Sequence, residues 1–96
     1  MRTALLIVLL LPWAAPGRAA ETDLVGACVP CHGLDGIGRD SEIPNLAGQN
    51  EVYLFKQLKA FRAGRRPHRE MQYMSRHMSE DEMRSLAAYF ANLSPR

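Results

Sequence analysis

The feature that most constrains this chain is Cys28-Val29-Pro30-Cys31-His32, which holds its only two cysteines. Two thiols two residues apart, with an imidazole directly after them, can serve a redox dithiol, a metal site or a cofactor. They are a poor staple for a fold, because a disulfide stabilises by closing a long loop and this one would close almost none. Yet some staple is needed. The chain has 96 residues, at most one domain. Residues 1–19 read as a secretory signal peptide: Arg2, the apolar run Ala4 to Leu11, Pro12-Trp13, then small residues before Glu21. The run is shorter than the roughly 20 apolar residues that cross a bilayer. Cleavage near Ala19/Ala20 would therefore leave no integral membrane segment. The remaining single domain, 20–96, has roughly 76 residues, a size at which a protein-only core is marginal. A bulky apolar cofactor that the chain can wrap would make up the difference.

The pattern is all-α, with no strand alternation and no internal repeat. A short helical segment, Asp23 to Cys31, runs into the cysteine motif, and the glycine-rich stretch from Gly33 to Gln49 is a loop by composition. A second helix follows Asn50, its N-cap, with Leu54, Leu58 and Phe61 at i, i+4 and i+7, and stops at Gly64 ahead of Pro67. A loop from Arg65 to Met78 is expected next. The last helix opens with Ser79-Glu80-Asp81-Glu82, a capping box, with Met78 and Met83 placed for a hydrophobic staple. Its core face is Met83, Leu86, Ala87, Phe90 and Leu93, and Pro95 ends it.

Three chemistries compete for the cysteines. A thioredoxin-like dithiol needs a CxxC at a helix start after a strand, and this pattern has no strand. A tetrahedral zinc site would need Cys28, Cys31, His32 and either His68 or His77, but adjacent Cys31 and His32 do not easily reach one ion. The third is covalent attachment of haem c, whose signature is Cys-x-x-Cys-His. A helical turn sets two thiols at the separation of two vinyl groups on one porphyrin edge, and the next residue projects its imidazole to the iron. Cys28 and Cys31 are then thioether anchors and His32 the proximal ligand.

From Leu24 to Leu93 the chain resembles the class I c-type cytochromes. It is most similar to small bacterial monohaem members and to one half of the dihaem type-four cytochromes c. The likeness rests on Cys28 to Gly38 ("CxxCHGxDGxG"), Pro44 to Gln49 ("PNLAGQ"), Tyr53 to Gly64 ("YLFKQLKAFRAG") and Met78 to Leu93. The resemblance implies a cytochrome c fold, three to four short helices wrapped around one covalently bound haem. It also implies that the carbonyl of Pro44 accepts a hydrogen bond from the proximal histidine. Such a bond fixes the ring and raises its basicity. For the distal ligand, the family's methionine lies in the loop before the last helix, three residues ahead of a second apolar residue and eight ahead of the capping serine. Met71 matches, with Met74 as haem packing and runner-up ligand; His68 and His77 are the histidine alternatives. Tyr89 and Phe90 are the expected aromatic partners where the first and last helices cross, with Gly26 or Ala20 opposite.

Without Arg2 and Arg18 the mature chain has 10 basic and 10 acidic residues and is formally neutral. The charge is uneven, since Lys56, Lys59, Arg62, Arg65, Arg66 and Arg69 follow one another with no acid until Glu70. Such a run is either a solvated helix face or a docking patch for an acidic partner. An export signal and the lack of any recognition motif argue against nucleic acid. No residue set reads as a catalytic acid, base or nucleophile, and an iron with two protein ligands has no open site for substrate. The expected function is that of a periplasmic monohaem cytochrome c, a one-electron carrier between redox proteins rather than an enzyme. The alternative is a haem c subunit of a larger oxidase or dehydrogenase complex.

Overall fold

The computed structural model describes residues 2–10 and 18–96. Residues 2–10 form no regular element, and Leu5 through Leu10 are exposed. Met1 and residues 11–17 of the expected leader lie outside the described residues, and Arg18 and Ala19 open the first helix. The described residues form four helices and no strand: α1 (Arg18–His32), α2 (Glu51–Arg62), α3 (Arg69–Ser75) and α4 (Glu80–Ala91).

Local chemistry sets most of the helix ends. Asn50 accepts from the Tyr53 amide at 2.9 Å and caps α2. At α4 the capping box is complete, Ser79 Oγ accepting from the Glu82 amide and Glu82 Oε1 from the Ser79 amide, both at 3.1 Å. Three acids in the first turn of α4 suit the positive end of its dipole. Met83 is fully buried, and Met78 is half-buried against the core.

Three boundaries differ from expectation. α1 begins five residues earlier than Asp23. The segment between α2 and α4 is not all loop, because α3 occupies Arg69–Ser75. Seven residues are too few to show a periodic stripe, and α3 is capped by His68, a residue type that carries little start signal; its Nδ1 accepts from the Met71 amide at 3.2 Å. α4 ends at Ala91, before Pro95, where Asn92 caps it and its Nδ2 donates to the Ala88 carbonyl at 2.7 Å.

The core sits where α1 and α2 pack on α4. Val25, Leu54, Leu86, Ala87 and Phe90 are buried together, with Leu24, Leu58, Tyr89 and Leu93 half-buried around them. Burying each large side chain here contributes about 1.5–3 kcal/mol. The α1–α4 crossing uses Val25 rather than Gly26, which is exposed and has open space on its side-chain side. Tyr89 and Phe90 meet edge-to-face, 5.0 Å between centroids, at that crossing.

Candidate functional site

α1 carries Cys28, Cys31 and His32 in its last turns. Both cysteines are free, Cys28 half-buried and Cys31 exposed. Burial pushes the Cys28 thiol above its ordinary range, and the neighbouring Cys31 adds to this. The C-terminal end of a helix is the negative end of its dipole, which further disfavours a thiolate. Redox dithiols use the opposite arrangement, with the attacking thiolate at a helix start. Among the described residues no three His, Cys, Asp or Glu side chains come together to cage a metal ion. The dithiol and zinc readings thus lose their geometry, and thioether attachment keeps its own.

His32 is buried, and its Nδ1 lies 3.0 Å from the Pro44 carbonyl oxygen. A carbonyl only accepts, so Nδ1 carries the proton and Nε2 keeps its lone pair free for a metal. The expected role of Pro44 has this geometry. The loop that presents it is braced from several sides. The Gly36 carbonyl accepts from the Leu46 amide at 2.7 Å and the Ala47 amide at 3.0 Å, and its φ of 73° is one that a side chain would strain. The Gly38 amide donates to Asn45 Oδ1 at 2.7 Å, and the Arg39 amide to the Cys31 carbonyl at 2.9 Å. From α4, the Tyr89 hydroxyl donates to the Leu34 carbonyl at 2.7 Å and the Phe90 carbonyl accepts from the Gly48 amide at 3.0 Å.

Between the cysteine helix and the segment from α3 to the start of α4, an open groove of about 640 Å³ is lined by Leu24, Ala27, Met74 and Met78, with Asp23, His77 and Glu82 at its polar edge. Cys28 follows the groove-lining Ala27 in α1, and its Sγ lies 3.8 Å from the Leu24 carbonyl oxygen one turn back. Met74 lines this groove, and Met71, half-buried, does not. The two share one side of α3, three residues apart, with fully buried Ser75 beside them. Ser75 Oγ donates to the Met71 carbonyl at 2.8 Å, a bond four residues back that holds the last turn of α3. Sequence reasoning missed Ser75 and the cap from His68. The i, i+4 spacing of Met71 and Ser75 carries that signal once a helix is drawn there. His77 reaches the groove edge, whereas His68 is spent on the α3 cap and sits edge-on to Phe61, 6.2 Å between centroids.

The basic run does not form one continuous patch. Lys59 and Arg62 lie 3.3 and 3.8 Å from Glu80 Oε1, Arg62 also donates to the Met78 carbonyl, and Arg66 stacks on Phe61 while donating to Gln57. Lys56, Arg65 and Arg69 are exposed and make no ion pair among the described residues. Lys56 lies within α2, and Arg65 and Arg69 lie between the end of α2 and the start of α3.

The residues present fit a covalent haem. Two unpaired thiols lie on the exit turn of a helix, a buried imidazole has its outer nitrogen fixed, and an apolar groove of ligand-binding size adjoins them. An all-α domain with that constellation defines a haem c-binding protein. The cytochrome c family model matches residues 18–94, and the chain belongs to that family. Family members carry electrons on covalently bound haem c, and Cys28 and Cys31 fit the attachment motif. The chain is 43% identical over 90 residues to the thiosulfate dehydrogenase electron acceptor of Stutzerimonas stutzeri, covering 83% of this chain and 42% of that protein. It is 39% identical over 81 residues to cytochrome c-554(548) of Halomonas halodenitrificans, covering 81% of this chain and 98% of the relative. Against cytochrome c4 of Pseudomonas aeruginosa the identity is 38% over 79 residues, 82% of this chain and 39% of the relative. Among solved structures, cytochrome c4 of Acidithiobacillus ferrooxidans aligns with a TM-score of 0.68 at 35% identity, over 81% of this chain and 44% of that one. The chain thus matches one half of the cytochrome c4 type and nearly the whole length of the Halomonas protein.

Proposed function

We propose that this protein is a periplasmic one-electron carrier with His32 and Met71 as the protein ligands on the two sides of its haem. The observation that carries the reading is the buried His32 ring, tied at Nδ1 to Pro44 and preceded by two free thiols. Bound haem c supplies the one-electron iron chemistry. The chain's own residues do the rest. Cys28 and Cys31 hold the group by two thioethers, so it stays in place in both oxidation states. The Pro44 carbonyl draws on the Nδ1–H, makes the imidazole a stronger donor and fixes its orientation. Met71, supported by the family's spacing to the capping serine rather than by the groove, which it does not line, would offer a thioether, favouring the reduced iron and raising the potential relative to two imidazoles. Leu24, Ala27, Met74 and Met78 exclude water from one side. With His32 and Met71 both holding the iron, no position would be left for oxygen or peroxide to react, which would separate a carrier from an enzyme.

Export is part of this proposal. The apolar run at residues 4–10 contributes nothing to the core, its Leu and Ile side chains being exposed. Among the described residues no helix is long and apolar enough to cross a membrane. Spectroelectrochemistry of the purified holoprotein tests the function. A reversible single-electron wave, with no carbon monoxide binding by the reduced protein, is expected; rapid carbon monoxide binding would refute the closed site.

One relative's name supports a second reading, in which this chain is the dedicated electron acceptor or a subunit of a dehydrogenase. The exposed Lys56, Arg65 and Arg69 suit docking on an acidic redox partner in either case. A monomer in size-exclusion chromatography of native extracts supports the carrier, and co-elution with a dehydrogenase supports the second reading.

A further inference from the structure

We infer that Arg62 is a positioning residue for the distal ligand, closing the neck of the loop that carries it; this rests on the assignment of Met71. Residues 63–77 leave the end of α2, form α3 and return to α4. Arg62 is the last residue of α2, and its Nη1 donates to the carbonyl of Met78, the residue before the α4 cap, at 2.9 Å. Its Nη2 lies 3.8 Å from Glu80, which also pairs with Lys59 at 3.3 Å. One half-buried guanidinium thus ties together the two ends of a fifteen-residue excursion.

Inside the neck, a chain of hydrogen bonds connects Met78 to Met71. The Met78 amide donates to the Ser75 carbonyl at 3.0 Å, Ser75 Oγ donates to the Met71 carbonyl, and the Met71 amide donates to His68. Gln72 Nε2 donates to the Arg66 carbonyl at 3.0 Å on the other limb. The excursion therefore has internal bonds that keep α3 intact; its outgoing limb stays tied to α2 through Arg66, which donates to Gln57 and stacks on Phe61, through the Arg65 and Arg66 amides on the Ala60 carbonyl and through His68 against Phe61, while Arg62 fastens its return end. Opening the neck would move α3 as a unit and withdraw Met71 without unfolding the core. Glu80 alone does not account for the closure, since its pairs are exposed surface pairs. A charged donor on a half-buried carbonyl is the stronger contact.

The test is exogenous imidazole binding to the oxidised holoprotein, which competes with the distal ligand and reports how often the site opens. R62M is expected to bind imidazole about tenfold more tightly than the wild type, because a hydrogen bond from a charged donor is lost only in the closed state. R62K keeps a donor that can reach the carbonyl and is expected within about threefold of the wild type. Global denaturation midpoints should change far less than the imidazole affinity. Wild-type affinity in R62M, or R62K as open as R62M, would overturn the inference. If R62M does not accumulate as holoprotein, hydrogen exchange on the wild type decides. The amides of Gln72 and Met78 should open together, below the cost of global unfolding, and independent openings would overturn it. A Met71→Ala variant run alongside separates the two claims. Loss of the sulfur-to-iron band in M71A with no effect of R62M refutes the neck alone, whereas a band that persists in M71A refutes the ligand assignment.

Discussion

Replacing Gly38 by alanine should loosen His32, the proposed iron ligand, without touching it. A Cβ at Gly38 would overlap the Ile43 carbonyl oxygen, lie 2.8 Å from the Ile43 carbonyl carbon and 3.4 Å from that of Pro44. These are backbone atoms, so no rotamer change relieves them. The Ile43–Pro44 segment must withdraw by about an ångström to regain ordinary contact. The neighbouring Pro44 carbonyl is the acceptor for His32 Nδ1 at 3.0 Å, and the same shift takes that bond beyond hydrogen-bonding distance. Overpacking costs about 1–3 kcal/mol and a buried donor left without its acceptor about 1–3 kcal/mol, so a loss of about 2–4 kcal/mol follows, allowing for some relaxation. The potential should rise as well, since an imidazole without its acceptor is a weaker donor and supports the oxidised iron less. Guanidinium denaturation of the holoprotein and a redox titration read the two effects, and proton NMR follows exchange of the His32 Nδ1–H. Wild-type stability together with an unchanged, protected Nδ1 proton would refute the chain of contacts from Gly38 to His32.

Other outcomes follow from the same geometry. S79A should lose about 1 kcal/mol by chemical denaturation, whereas S79D, which keeps an acceptor at the cap and suits the helix dipole, should stay close to the wild type. Phe90→Ala, at the buried crossing of α1 and α4, should cost about 3–5 kcal/mol on the same assay. The purified protein should show no free thiol by titration and should retain its haem on acid–ketone extraction, whereas the C28S/C31S double variant should lose it.

The fold and the placing of Cys28, Cys31 and His32 on one helix end were largely legible because their signals are local. Ser79 and Glu82 are three apart and satisfy each other within one turn; Cys28, Cys31 and His32 share a helix end; the α2 and α4 stripes repeat at helical spacing. What was less legible depends on distant contacts. α3 is too short for a periodic signal and is held by a histidine cap and a buried serine, residue types with many other uses. The basic run reads as one patch in sequence, yet Lys59 and Arg62 are drawn to Glu80, eighteen or more residues away, leaving Lys56, Arg65 and Arg69 outside. Gly26 or Ala20 was expected opposite the aromatic pair at the helix crossing; the rotation of α1 gives that place to Val25, and the side chain of Ala20 lies outside the described residues.

The most direct test of the proposed site is the near-infrared spectrum of the oxidised holoprotein. A sulfur-to-iron charge-transfer band should be present in the wild type, persist in Met74→Ala and vanish in Met71→Ala. Survival of the band in Met71→Ala, or its absence from the wild type, would contradict a carrier ligated by His32 and Met71.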